Sequence, residues 1–292
     1  MVGDYRGPFA EPQAADRPYG RQPGVPGHRE AVQQMAGLPA GSPTRPARRN
    51  GHGRLVSEPA GRATGSAVKL AFFSDLHAAA DNLQALLALL GREGVGRVYN
   101  LGDAVGYSGD AERTFGLLRE RGVVGVLGNH DLEALAKPDP AVTLRTADGR
   151  EVGSDFGLSP ASKAYIRGLP RRIVETCGGV RFGAGHGLVS SYAGAPLWEN
   201  VTAANAAEFL AQVGVDLAFA GNAHEQYYVE LAGGQARLVE VEREALLRLR
   251  PGRRYAICAG SAAAPSGDPP RPGFVIFEPE AMTVTFRRFE TG

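Results

Sequence analysis

Apolar positions recur on two different periods along this chain. Val68-Lys69-Leu70-Ala71-Phe72-Phe73, Arg97-Val98-Tyr99-Asn100-Leu101 and Val123-Val124-Gly125-Val126-Leu127 are short, largely apolar runs with the length of buried parallel strands. Between them, Asn82 to Leu90 and Ala111 to Arg121 carry apolar residues at helical spacing. Strand and helix alternating in this way predict a parallel sheet with right-handed crossovers. The stretch from Leu135 to Arg172 is less regular, with one expected helix near Pro160 to Arg167. Val180 to Ala184 and Asp216 to Ala220 read as two more strands, with a helix from Ala203 to Val213 between them. Beyond these the pattern becomes one of successive strands: Gln226 to Leu231, Gln235 to Val241, Arg254 to Ala259, Phe274 to Glu278 and Thr283 to Phe289. They predict a mostly antiparallel sheet packed on the first.

Residues 1–66 follow neither period. They are crowded with Pro, Gly, Ala and Arg, and such a segment cannot bury enough apolar surface to offset its ordering entropy. A disordered tail is expected there, with room for a short helix around Arg29 to Met35, followed by one folded domain over residues 67–292.

Composition narrows the function classes. The 292 residues carry a net charge of +1, which gives no case for nucleic-acid binding. No window is apolar enough for a membrane span, and no charged start leads into an apolar secretory segment. Cys177 and Cys258 lie far apart among small or apolar neighbours, as expected of reduced structural thiols in a cytoplasmic protein.

The chemistry stands at the strand ends. The five predicted strands through Asp216 to Ala220 lead into Ser74-Asp75-Leu76-His77, Gly102-Asp103, Gly128-Asn129-His130-Asp131, Gly185-His186-Gly187 and Gly221-Asn222-Ala223-His224. Open α/β sheets bind ligands just beyond the carboxyl ends of their strands. Taken singly, Gly128-Asn129-His130-Asp131 could be a polar turn with an Asp helix cap. Of six histidines, however, all four outside the tail (His77, His130, His186, His224) fall at strand ends, and that favours one shared site. Carboxylates, imidazoles and an amide oxygen without thiolates suit Mn²⁺, Fe²⁺, Zn²⁺ or Ni²⁺. Asp75 and His77, two apart on an extended segment, can reach one ion, and Asp103 on the next strand is placed to bridge two. Two such cations would clamp a phosphoryl group and activate a water.

This succession resembles the calcineurin-like metallophosphoesterase superfamily. Gly102-Asp103-Ala104-Val105-Gly106-Tyr107, Leu169-Pro170, Pro196-Leu197-Trp198-Glu199, Ala259-Gly260-Ser261 and Gly267-Asp268-Pro269 resemble its prokaryotic phosphodiesterase branch. The likeness runs from Val68 to Phe289. It implies an α/β fold of four αββα layers, two mixed β-sheets flanked by helices, with a dinuclear site at one edge. It implies Asp75, His77, Asp103 and His224 as ligands of a first metal and Asp103, Asn129 and His186 as ligands of a second. It further implies His130 as the general acid, with Asp131 fixing its orientation, and metal-hydroxide attack on phosphorus.

Two departures from the family bear on these expectations. Asn222 stands where the family usually has a histidine that completes the second metal site; its carbonyl oxygen can still ligate, so a weaker second site is expected, the alternative being that Asn222 hydrogen-bonds a neighbour and one ion is held. Ala78-Ala79-Ala80-Asp81 precede Asn82-Leu83 where the family continues Gly-Asn-Leu, and Asp81 is expected to cap the helix that follows. Tyr107, Tyr192 and Trp198 are candidate pocket aromatics with core packing as the competing reading, and Ser261 reads as a structural turn. The expected function is a phosphoesterase, first a phosphodiesterase, acting on a small phosphoester or nucleotide. The alternatives are a serine/threonine phosphoprotein phosphatase, or a binding or regulatory protein weakened at Asn222.

Overall fold

The computed structural model describes residues 68–106, 110–135, 143–145, 151–153, 158–192, 195–263 and 272–291. The expected tail, Tyr107 and Gly267-Asp268-Pro269 lie outside them. Two six-stranded mixed sheets stack face to face. The first runs in the order β13 (Ala245–Arg248), β16 (Thr283–Arg288), β15 (Gly273–Glu278), β1 (Leu70–Phe73), β2 (Arg97–Asn100), β3 (Val124–Gly125). The second runs β12 (Gln235–Glu240), β11 (Gln226–Ala232), β14 (Arg254–Ala259), β10 (Leu217–Ala220), β7 (Val180–Gly185), β6 (Arg172–Cys177). Two hairpins, β4 (Thr143–Arg145) with β5 (Glu151–Gly153) and β8 (Leu188–Tyr192) with β9 (Ala195–Glu199), stand apart from them.

The period of two along each strand decides what each layer touches. Leu70 and Phe72 of β1 face the second sheet, where Phe182, Leu217, Phe219 and Ile257 meet them in an all-apolar core. Phe72 stacks on Phe219 with centroids 3.7 Å apart and on Tyr99 at 4.6 Å. Ala71 and Phe73 face outward, under α1 (Ala80–Arg92) and α2 (Ala111–Glu120). Leu83, Leu86, Leu87 and Leu90 form the buried stripe of α1, and Phe115 and Leu118 that of α2. On the far side, Phe209, Leu210 and Val213 of α5 (Ala206–Val213) cover Ala218, Ala220 and Ala256. The order is helix, sheet, sheet, helix, as expected. Among the described residues no helix is long and apolar enough to cross a membrane.

The late strands do not form a sheet of their own. β15 pairs antiparallel with β1, and β16 and β13 extend that sheet, while β14 lies parallel to β10 and β11 and β12 extend the other. Alternation reports which face of a strand is buried; it carries no information about the neighbour. The predicted strand at Val123 to Leu127 pairs as a ladder only over Val124–Gly125. Leu127 N–H instead donates to Pro170 O at 2.8 Å. β6 went unanticipated although Ile173-Val174-Glu175-Thr176 is a β-branched run closed by Gly178-Gly179, whose φ values of 56° and 78° suit a tight hairpin turn.

Candidate metal centre

β1, β2 and β3 run parallel in one sheet and β7 and β10 run parallel in the other, so the segments after all five meet at one edge of the sandwich. The backbone there is bent hard. Of seven non-glycine residues with positive φ among those described, six are Asp75, His77, Ala78, Asp103, Asn222 and His224. Asp, Asn and His tolerate this region better than most residues, yet each such position still costs roughly 1–3 kcal/mol. Ser261 holds the first bend, its hydroxyl donating to Asp75 O at 2.9 Å, which bears out the structural reading of that serine. Gly128 allows another: a Cβ there would overlap Asp103 Oδ1 and the Asp103 amide.

Six of the expected residues come together as three overlapping groups: Asp75, His77 and His224; Asp75, Asp103 and His186; His77, Asp103 and His130. Asp75 Oδ1 is buried without a hydrogen-bond partner, 3.4 Å from His224 Nε2 and 3.9 Å from His77 Nε2. Asp103 Oδ2 lies 3.4 Å from His186 Nε2 and 3.9 Å from His130 Nε2. Asn129 Oδ1 faces His186 Nε2 at 3.1 Å.

The outward ring nitrogens of two histidines are tied back to the chain. His186 Nδ1 lies 2.8 Å from Leu101 O and His77 Nδ1 lies 3.3 Å from Val105 O, so in each ring a backbone carbonyl takes the Nδ1 proton and Nε2 is aimed at the carboxylates. This is the arrangement of metal-ligating histidine, whose second nitrogen donates to a carbonyl or carboxylate. An orphaned buried carboxylate oxygen among convergent Nε2 atoms fits a divalent cation.

Charge coupling supports the same grouping. Burial depresses His77 to about 4. Burial also opposes charge on His186 and His130, yet Asp103 carries His186 up to about 10, and Glu133 with Asp103 carries His130 to about 9. Asp103 and Asp75 resist the upward push of burial through their histidine neighbours and stay below the usual carboxylate range.

Asp131 and Asp81 differ from expectation, and Asn222 makes the neighbour contact that was its alternative reading. Asp131 does not orient His130. Its carboxylate accepts the backbone N–H of Asp103, Ala104, Val105 and Gly128, at 2.9, 2.9, 3.2 and 3.1 Å, and so shapes the loop that carries Asp103. Glu133 is the carboxylate beside the ring, 3.3 Å from His130 Nδ1, and its i,i+3 spacing on α3 (Asn129–Glu133) was a signal present in the sequence. Asn222 Nδ2 donates to Asn200 Oδ1 at 2.5 Å, while its backbone N–H donates to Asp75 Oδ2 at 3.0 Å. Asp81 does not cap its helix; it pairs with Arg113 of α2 at 2.6 Å. Trp198 is buried in the core, with the Arg171 guanidinium 5.8 Å from its ring.

A profile of the calcineurin-like phosphoesterase superfamily domain matches residues 68–282. The crystal structure of a metallophosphoesterase from Sphaerobacter thermophilus superposes with a TM-score of 0.60 at 28% identity, over 78% of this chain and 90% of that one. A hypothetical protein from Pyrococcus horikoshii OT3 shares the fold, with a TM-score of 0.53 at 17% identity, over 77% and 89%. An uncharacterised protein of Methanocaldococcus jannaschii is 34% identical over 68 residues, 23% of this chain, and the match spans only 28% of that relative's length.

Proposed function

We propose that this chain, which belongs to the calcineurin-like phosphoesterase superfamily, is a metal-dependent hydrolase of phosphoester bonds, a phosphodiesterase for a small phosphoester or nucleotide. The observation that carries the reading is the convergence of the three Asp/His groups on the Asp75 and Asp103 carboxylates at the strand ends. Asp75, His77, Asp103 and His224 would hold one divalent cation, and Asp103, Asn129 and His186 a second. Such ions, when bound, supply Lewis acidity to a phosphoryl oxygen and lower the pKa of a water. The second is held more weakly, since Asn222 offers an amide oxygen in place of an imidazole.

His130 is the proton donor. Glu133 beside Nδ1, with Asp103, raises its pKa to about 9, which favours the imidazolium a proton donor needs. Asp131 serves the reaction indirectly, by fixing the amides of the loop that presents Asp103.

The test is hydrolysis of bis(p-nitrophenyl) phosphate and p-nitrophenyl phosphate with added Mn²⁺. Preference for the diester, lost by about 100-fold or more in Asp103→Asn, is the expected result. Preference for the monoester points instead to a phosphatase. Silence with both substrates across several metals would sink the enzymatic reading in favour of a binding protein.

A further inference from the structure

The first sheet ends in β13, and among the described residues no strand pairs with its outer side. Its backbone is set for another partner. Leu249 N–H donates to Met282 O, so in the antiparallel alternation Ala245 and Leu247 turn their amides toward β16. Glu244, Leu246 and Arg248 then turn theirs outward. Leu246 is 54% exposed, the most exposed of the large apolar side chains among the described residues, whereas Leu247 packs into the core between the sheets.

On the Leu246 face an acid stands just before the leucine and a base just after it: Glu244, Leu246, Arg248. Charges that merely guard an edge against pairing need no order. These are antisymmetric about Leu246. When such a strand lies antiparallel to its own copy with Leu246 opposite Leu246, Glu244 faces Arg248, twice by symmetry. Arg248 is exposed and has no ion pair among the described residues. Glu244 uses Oε1 for both Arg287 Nε and Arg288 N, which leaves Oε2 open. β12, the other edge on this side, carries Arg237, Leu238 and Glu240 with no such antisymmetry.

We propose that β13 pairs antiparallel with the β13 of a second copy of this chain, joining two six-stranded sheets into one across a two-fold axis at Leu246. Sedimentation of the full chain over a wide concentration range tests this. The expected mass rises from 30.7 kDa to twice that value. Arg248→Glu and Glu244→Arg each place like charges opposite one another and should each give a monomer. Their equimolar mixture should recover the dimer, because every facing pair is then opposite in sign. Leu246→Lys should also be monomeric, and at so exposed a position it leaves the protomer's melting temperature unchanged. A wild-type chain that stays monomeric throughout overturns the proposal. So does a dimer indifferent to Arg248→Glu and Leu246→Lys, or a mixture that fails to pair while both variants stay folded.

Discussion

At the scale of single residues the site is governed by competition between a proton and a cation. His186 is fully buried, and Asp103 holds its pKa up at about 10, which favours a protonated ring whose Nε2 faces Asp103 Oδ2 and Asn129 Oδ1. A cation bound by those atoms must displace the Nε2 proton. Calorimetric titration with Mn²⁺ in buffers of different ionisation enthalpy should therefore show proton release on loading. Binding should tighten as pH rises from 6 toward 9. Two steps of unequal affinity are expected on the proposed ligand assignment, the proton-linked one weaker. Two equally tight, proton-independent equivalents would contradict both the ligand assignment and the weaker second site.

At the scale of elements, helix ends are secured by neighbours as well as by their own caps. α4 (Pro160–Gly168) has Ser159 as its N-cap, whose hydroxyl accepts Ser162 N–H at 3.2 Å. The usual partner for the cap's own amide would be a glutamate on the same helix. Here Glu112 of α2 reaches across, accepting Ser159 N–H at 2.5 Å and the Ser162 hydroxyl at 3.1 Å. Burial works against its charge, but these hydrogen bonds hold Glu112 below its ordinary 4.5. A depressed carboxylate stabilises the fold above its unfolded pKa and loses that contribution as pH falls through its folded value. Glu112→Ala should cost about 1 kcal/mol at pH 7, lowering the melting temperature by roughly 2–4 °C. The difference from wild type should shrink below pH 4. An equal difference at pH 3 would mean that the ionised carboxylate is not the cause.

At the scale of the molecule, the metal centre depends on a core it does not touch. Phe72 sits between Tyr99 and Phe219 at the interface of the sheets, two residues before Ser74 and three before Asp75. Phe72→Ala would leave a cavity worth about 3–5 kcal/mol, and a fall in melting temperature of roughly 10 °C is expected. A shift of only a degree or two would mean that the sheets close over the gap. Gln226 ties the same two sheets by donating to Ala259 O in one and to Phe274 O and Arg287 O in the other.

Local pattern alone determined a good deal of this protein. The helices of the first half, the parallel strands that carry ligands, and the identities of Asp75, His77, Asp103, Asn129, His130, His186 and His224 as residues that meet were all legible, because periodicity and strand-end chemistry are properties of neighbouring positions. Tertiary structure decided what depends on residues distant in sequence. It sent β15 and β16 to β1, turned Asn222 to Asn200, and set Asp131 under four backbone amides, leaving Glu133 beside His130. A side chain's type fixes which bonds it can make. Which of them it does make depends on the donors and acceptors that packing brings within about 3 Å, and no local window of sequence contains those.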